Sequence, residues 1–473
     1  MRVAAVDQGT TGTKSCVCDG EGALASVAAF EHAQFYPRPG HVEHNPEELL
    51  RHVTGAIAAA GKVDAIGIDN QGETVIAWDA ATGRPIHNAI VWQDDRTSAV
   101  TGRLKAEGAE ELTRAIAGLP LDPYFSAAKL RWFIDHVREA KELLRGKRLR
   151  LGTSDAFFLA RLTGEFATDV TTASRTSLMS LDTFQWDERL CDLFGVPMEC
   201  LPEIRPSTGP FGAHRGVPVT ASLVDQQAAL YGHGCAAAGD VKITFGTGAF
   251  ALAIAGAERV NGSRFGIVPT VAWQQRAEKP HFALEGGVYN AASAVNWARQ
   301  LGLFADYAEI GHFDKPPAIL RGLAFVPALS GLACPHWDRS AAGLWIGLAL
   351  DTTRADLMQS LIEGVALRAG EVIAALGELL PLAAAISVDG GMARNPYLLQ
   401  VLADVTGRTI VVPSATGLTA LGTARMAMRG LGVATLPELP PPASSVRPVG
   451  TYGAQARSRF ATAVTRARGW KEA

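Results

Sequence analysis

Met1-Arg2-Val3-Ala4-Ala5-Val6-Asp7-Gln8-Gly9-Thr10-Thr11-Gly12-Thr13-Lys14 opens the chain with an apolar run, a Gly/Thr turn and the start of a second run. Lys14–Asp19 alternates, and Ala23–Phe30 is apolar again after Asp19-Gly20-Glu21-Gly22, so the opening predicts a β-meander. The pattern returns in the second half as Asp240–Phe245, a turn at Gly246-Thr247-Gly248, and Ala249–Ala255. Two copies of strand, Gly/Thr turn, strand predict two related domains, each opening with a hairpin able to hold phosphate. Glycines let backbone N–H groups crowd toward an anion, and the threonine hydroxyls and Lys14 add donors. The first turn is not a Walker A loop, because Gly12 and Lys14 are not adjacent and a strand follows. Read singly, either turn is as readily an ordinary hairpin. The pairing favours a ligand.

Working outward, 473 residues are too many for one ordinary core and predict two domains. Glu47–Ala60, Ala291–Leu301, Leu357–Leu379, Leu398–Thr406 and Thr419–Arg429 read as helices, and helical patterns dominate from Arg96 to Arg145. Val63–Ile68 reads as a short buried strand ending at Asp69, and Ile76–Trp78, Ala89–Trp92 and Ala384–Val388 as further strands. A boundary near residues 228–240 divides the chain into 1–234 and 235–436. Residues 437–473 form a Pro-rich spacer and a basic terminal helix, with Arg457, Arg459, Arg466 and Arg468 on a solvated face.

A net charge of −3 makes nucleic acid a poor partner. Asp7 interrupts the apolar start before a signal-peptide core forms, and no run of 18 apolar residues predicts a membrane span. The six cysteines show no zinc spacing and read as small buried hydrophobes. A cytoplasmic location is the expectation.

Three further constellations carry chemistry. In Leu223-Val224-Asp225-Gln226-Gln227, Asp225 heads a helix at the domain boundary, where it serves either as a cap or as a general base aimed into a cleft. Val388-Asp389-Gly390-Gly391-Met392-Ala393-Arg394-Asn395 ends a strand in paired glycines, which suit a left-handed turn or the close approach of a flat ligand such as adenine. Gln71-Gly72-Glu73, Trp92-Gln93 and Asp122-Pro123-Tyr124-Phe125-Ser126 combine carboxylates, amides and aromatic faces, as sugar and polyol sites do; singly, each aromatic is ordinary core.

These residues resemble the FGGY carbohydrate kinases, and among them the branch that acts on glycerol. The resemblance runs from Val3 to about Leu431. It is dense at Val6–Thr11, Tyr36-Pro37-Arg38-Pro39-Gly40 with Val42-Glu43-His44, Asn88–Gln93, Asp122–Ser126 and Ala173-Ser174-Arg175-Thr176. Two family signatures are met, one at Tyr124, Ser126, Lys129 and Trp132, the other at Gly343, Gly347, Leu348, Asp356, Ser360 and Glu363. The resemblance implies an α/β fold of two actin-like ATPase domains of the ribonuclease H type, closing on a central cleft. It implies ATP and Mg²⁺, a small polyol or sugar acceptor, and a homodimer or homotetramer. By the same resemblance Asp225 is the base and Asp7 lies near the metal. Thr10, Thr11, Gly12 and Lys14 meet the phosphates from one side, Gly246, Thr247 and Gly248 from the other. Asn296, Gly390, Gly391 and Asn395 border the nucleotide. Glu73, Trp92, Tyr124, Asp225, Gln226 and Phe250 match the acceptor positions.

The sequence departs from that branch where Gly72 stands in place of an acceptor-binding arginine. A lost charged hydrogen bond of roughly 1.5–3 kcal/mol would weaken discrimination about ten- to a hundredfold. Either the gap admits a longer acceptor, such as a tetritol or ketose, or a nearby side chain fills the role. Val224 stands where a glycine usually precedes the base, and Gly417 replaces an acidic residue. The short Gly209–Pro218 loop lacks the Gly-Gly-Thr-Arg segment that binds fructose 1,6-bisphosphate in some relatives, so that feedback is not expected. Kinases of the same fold acting on erythritol, xylulose or ribulose, and an actin-like ATP-binding regulator, are the alternatives to a glycerol-directed enzyme.

Overall fold

The computed structural model describes residues 1–472. Strands β1 (Arg2–Gln8), β2 (Gly12–Asp19) and β3 (Leu24–Glu31) form the expected antiparallel meander. On the other side of β1, β4 (Ala65–Asn70) and β5 (Val217–Val224) add in parallel, giving the order β5-β4-β1-β2-β3, with the short piece Ala213–His214 beyond β5. Every residue of β4 is buried, as expected of a parallel strand covered on both faces. Helix α1 (Pro46–Ala59) covers one face with Leu49, Val53, Ala56 and Ile57, packed on Ala4, Val6, Ile66 and Ile68. Asn45 starts it by accepting hydrogen bonds from the N–H groups of Glu47 and Glu48. After β5 the chain turns into α2 (Asp225–Gly232).

The second half repeats this plan. Its sheet contains β6 (Val241–Phe245), β7 (Ala249–Gly256), β8 (Val268–Trp273), β9 (His281–Val288), β10 (Ala385–Gly390), β11 (Thr409–Pro413) and β12 (Pro442–Val446). The order is β8-β9-β7-β6-β10-β11-β12. Thus β9, β7, β6, β10 and β11 take the places of β3, β2, β1, β4 and β5. Helices α3 (Arg354–Gly377), α4 (Pro396–Thr406) and α5 (Leu418–Gly430) complete it, α5 being the counterpart of α2.

The halves meet where α2 and α5 cross. A Cβ on Gly422 would collide with the Ala228 carbonyl, and one on Gly232 with the Leu418 carbonyl. Only glycine permits this backbone approach. Helix α5 also lies against the first sheet, where a Cβ on Gly67 would stand 2.8 Å from the Thr423 carbonyl. One apolar core therefore holds Val3, Ala5, Ala65 and Leu223 together with Leu421, Ala424 and Met428.

One feature differs from the sequence reading. The spacer leads into a strand: Pro442–Val446 pairs with β11 at the sheet edge, where a proline breaks no ladder. Helix α6 (Ala454–Ala467) keeps Arg457, Arg459 and Arg466 exposed but buries Phe460 and Val464 in the second core.

Candidate active site

The ends of β4 and β5 supply the first polar groups. Asp225 is the first residue of α2, where unpaired N–H groups and the helix dipole favour a negative charge. Beyond β4, the Thr74 N–H donates to the Gly72 carbonyl at 2.7 Å, closing a tight three-residue turn on Glu73, whose φ is +56°. That conformation is strained for a residue with a side chain, and something must hold it. Arg175 does so. Its Nε donates to Glu73 Oε1 at 2.6 Å and its Nη2 to Glu285 Oε1 at 3.0 Å, with all three side chains buried. Arg175 Nη1 has no partner.

Aromatic rings from both halves face this triad. Trp92 stands nearly perpendicular to Tyr124 (centroids 5.7 Å apart) and to Phe250 on β7 (6.2 Å). The Trp92 indole N–H donates to Thr10 Oγ1 at 2.9 Å, tying the aromatic wall to the first hairpin. Together these groups enclose a cavity of about 150 Å³, lined also by Gly72, Val224, Gln226, Gln227, Thr244 and the second hairpin, Gly246, Thr247 and Gly248. Among the described residues, no protein acceptor serves the N–H groups of Thr10, Thr11, Gly246 or Thr247.

Charge here is unbalanced. Asp7 and Asp69 are neighbours on paired parallel strands. Burial raises both above the ordinary carboxylate range; Lys14 opposes the rise at Asp7, whereas the Asp7 charge adds to it at Asp69. Thr423 donates to Asp69 Oδ2 at 2.5 Å, and Asp69 Oδ1 is left buried without a partner. Asp225 is pushed up to about 7, by burial first and then by the charges of Asp7 and Glu73, with Lys242 pulling the other way. Lys242 itself donates to Gln226 Oε1 (2.6 Å) and Thr244 Oγ1 (3.0 Å). Carboxylates crowded beside an orphan oxygen fit a hard divalent cation with oxygen ligands.

A second, larger cavity of about 810 Å³ lies in the second half, lined by Asn296, Tyr307, Ile310, Ile362, Gly391, Met392 and Asn395 among others. A Cβ on Gly391 would meet nothing within 4 Å, so the glycine leaves the mouth open. Asn395 spends its amide on structure, capping α4 at Leu398 N (2.9 Å) and donating to the Ile310 carbonyl (2.8 Å). Gly390 lines neither cavity; a Cβ there would collide with the Phe245 carbonyl, so it serves strand packing. Gly12 is likewise explained by the Phe30 carbonyl, 2.7 Å from its absent Cβ. Thr11 and Lys14 are exposed outside both cavities.

Models of the FGGY family of carbohydrate kinases match the chain twice, the N-terminal domain at residues 2–232 and the C-terminal domain at 241–431. The chain belongs to this family. A glycerol kinase of Thermus brockianus is 42% identical over 453 residues, spanning 92% of this kinase and 91% of the relative. One from Haloferax volcanii is 39% identical over 468 residues, spanning 92% and 91%. The crystal structure of Plasmodium falciparum glycerol kinase with ADP superposes with a TM-score of 0.88 at 30% identity, covering 98% of both chains. A xylulose kinase from Lactobacillus acidophilus shares the fold at 23% identity and a TM-score of 0.87.

Of the residues expected at the acceptor, Glu73, Trp92, Tyr124, Asp225, Gln226 and Phe250 all line the small cavity of this FGGY kinase. Gly72 also lines this cavity and packs on Val224, where an added Cβ would lie 3.2 Å from Val224 Cγ1. Sequence reasoning gave no role to Arg175, Glu285, Lys242 or Asp69. Nothing local marks a buried charge; an Arg in Ala-Ser-Arg-Thr reads like any surface arginine until its partners arrive from distant strands. Among the described residues, no helix is long and apolar enough to cross a membrane.

Proposed function

We propose that the protein transfers the γ-phosphoryl group of ATP to a terminal hydroxyl of glycerol. The observation that carries this reading is Asp225: a carboxylate held near 7, facing a cavity shared by both hairpins and by the aromatic wall. A base of that pKa is half ionised at neutral pH and can take the hydroxyl proton as the oxygen attacks phosphorus. The acceptor O–H bond breaks to Asp225, the new O–P bond forms, and the bond to ADP breaks. A cavity of about 150 Å³ is small beside the roughly 300–1,000 Å³ of drug-sized sites, which favours a three-carbon acceptor over a pentulose.

Glu73, fixed by Arg175, receives a neighbouring hydroxyl, and the carbon chain lies against Trp92 and Phe250. The unpaired N–H groups of the two hairpins cradle the phosphates, with Thr247 and Thr10 nearest the acceptor. The larger cavity takes the base and ribose between Asn296, Tyr307 and Gly391. Asp7, with Asp69 behind it, would hold Mg²⁺, which supplies charge neutralisation for the transferring phosphoryl group. Asp122 and Lys129 act further out, Arg339 donating to Asp122 Oδ1 at 2.8 Å and Lys129 Nζ to the Tyr124 carbonyl at 2.7 Å, which fixes the aromatic wall.

The test is formation of ADP and glycerol 3-phosphate by the purified protein with ATP, Mg²⁺ and glycerol, set against erythritol, xylulose and ribulose. A glycerol rate far below that of another acceptor would reject the assignment of glycerol. No acceptor-dependent ADP at all would reject transfer.

A further inference from the structure

Lys242 stands on β6 with its side chain fully buried, and no step of the proposed transfer uses it. We propose that it is a positioning residue: its ammonium turns the Gln226 amide donor-first into the small cavity and ties it to Thr244, so that the acceptor wall and the second hairpin are held in register. This rests on the small cavity being the site of transfer.

The contacts form a bridge between the halves. Lys242 Nζ donates to Gln226 Oε1 at 2.6 Å and to Thr244 Oγ1 at 3.0 Å. Gln226 is the second residue of α2, in the first half, whereas Thr244 lies on β6, two residues before the Gly246-Thr247-Gly248 turn. Both line the cavity. An ammonium has three donors and no acceptor, so it takes only the carbonyl end of an amide. Gln226 is thereby fixed, and its NH2 group, which has no protein acceptor among the described residues, is left for an oxygen in the cavity. Unpinned, the amide can present either end.

The charge is unfavourable where it lies. Burial lowers the Lys242 pKa, and the charges of Asp389, Asp225 and Glu285 oppose that. A methionine would fill the same space without the desolvation cost, so what the lysine adds is the placement of two polar groups. Beyond the far end of α2, His233 Nδ1 lies 2.6 Å from Ser387 Oγ, and Ser387 is the register partner of Lys242 on β10. The helix that begins with Asp225 is thus fastened to the second sheet near both ends. The Lys242 fastening is the one whose partners line the cavity.

The experiment measures kcat and KM for ATP and for the fastest acceptor among glycerol, erythritol, xylulose and ribulose. The proteins are the wild type, Lys242→Met, Gln226→Leu and the double variant, each checked for a cooperative thermal melt. In Lys242→Met, kcat/KM for the acceptor should fall about ten- to a hundredfold, as for a lost charged hydrogen bond, while KM for ATP stays within about threefold. With Gln226 gone the bridge has no first-half end, so the double variant should lose no more than about threefold beyond Gln226→Leu alone. Losses that multiply, or a Lys242→Met rate within about twofold of the wild type, overturn the proposal and leave the kinase reading standing. If Lys242→Met does not fold, Gln226→Glu decides. It keeps the contact with Lys242 but puts an acceptor oxygen where the NH2 group stood. A loss of about tenfold or more at unchanged KM for ATP supports the proposal, and a wild-type rate overturns it. Turnover of no acceptor by the wild type overturns the kinase reading and the proposal with it.

Discussion

Asp69 and Asp389 occupy the same place in two copies of one sheet, yet they face opposite surroundings. Each lies near the end of the strand that runs parallel to the first strand of its half, opposite Asp7 and Thr244 respectively. Asp69 is raised well above the ordinary carboxylate range, by burial and by its neighbour Asp7. Burial pushes Asp389 up as well, but His233, whose Nε2 lies 3.4 Å from Asp389 Oδ1, and the Lys242 charge bring it below that range. The fold sets where a carboxylate sits, and its neighbours set what it can do. In the first half two carboxylates crowd each other; in the second a histidine and a lysine stand beside the one.

Asp225→Asn would break this contrast most severely. It should lower kcat by about 10²–10⁴ while ATP affinity, measured by ligand-induced thermal shift, stays within a few fold. A rate near that of the wild type would remove Asp225 as the base. Next in size is the pH profile. If Asp225 is the base proposed, it must be ionised to act, and kcat/KM should fall about tenfold per pH unit on an acid limb. Its midpoint should lie between the ordinary 3.8 and about 7, lower the more a cation beside Asp225 offsets the neighbouring carboxylates. A limb below 3.8 would contradict the crowding of carboxylates.

Asp7→Asn should raise the Mg²⁺ concentration for half-maximal rate by about tenfold or more, and Asp389→Asn should leave it unchanged. Equal effects would dissolve the comparison. The smallest effect is on stability in metal-free protein. Asp69, with its raised folded-state pKa, contributes stability that is fullest below the unfolded value and declines as pH rises above it. Asp389, with a depressed pKa, contributes stability above the unfolded value that is lost as pH falls through the folded one. At pH 8, Asp69→Asn should therefore raise the melting temperature by about 2–4 °C and Asp389→Asn lower it by a similar amount. The same sign for both would refute the opposed environments.

Much of this was legible in the chain. The meander of β1 to β3, the repeat at β6 and β7, and helices α1 and α3 to α5 follow from apolar spacing and Gly/Thr turns, whose energetics are local. The residues that line the small cavity were legible through family motifs. Strands β5, β8, β9, β11 and β12 were not, because they owe their pairing to neighbours remote in sequence. The buried triad Glu73–Arg175–Glu285 was equally hidden, since its members lie about a hundred residues apart or more.

By itself, the sequence determined the duplicated hairpins, the main helices and the family, for these rest on periodicity, turn chemistry and motif spacing within short windows. Only the tertiary structure decided that Val224 packs against Gly72, that Arg175 holds a strained Glu73, and that one strand-end aspartate faces a second carboxylate while its counterpart lies beside His233 and Lys242. Those outcomes depend on which atoms burial brings within a few ångströms of one another, a distance that no single stretch of chain encodes.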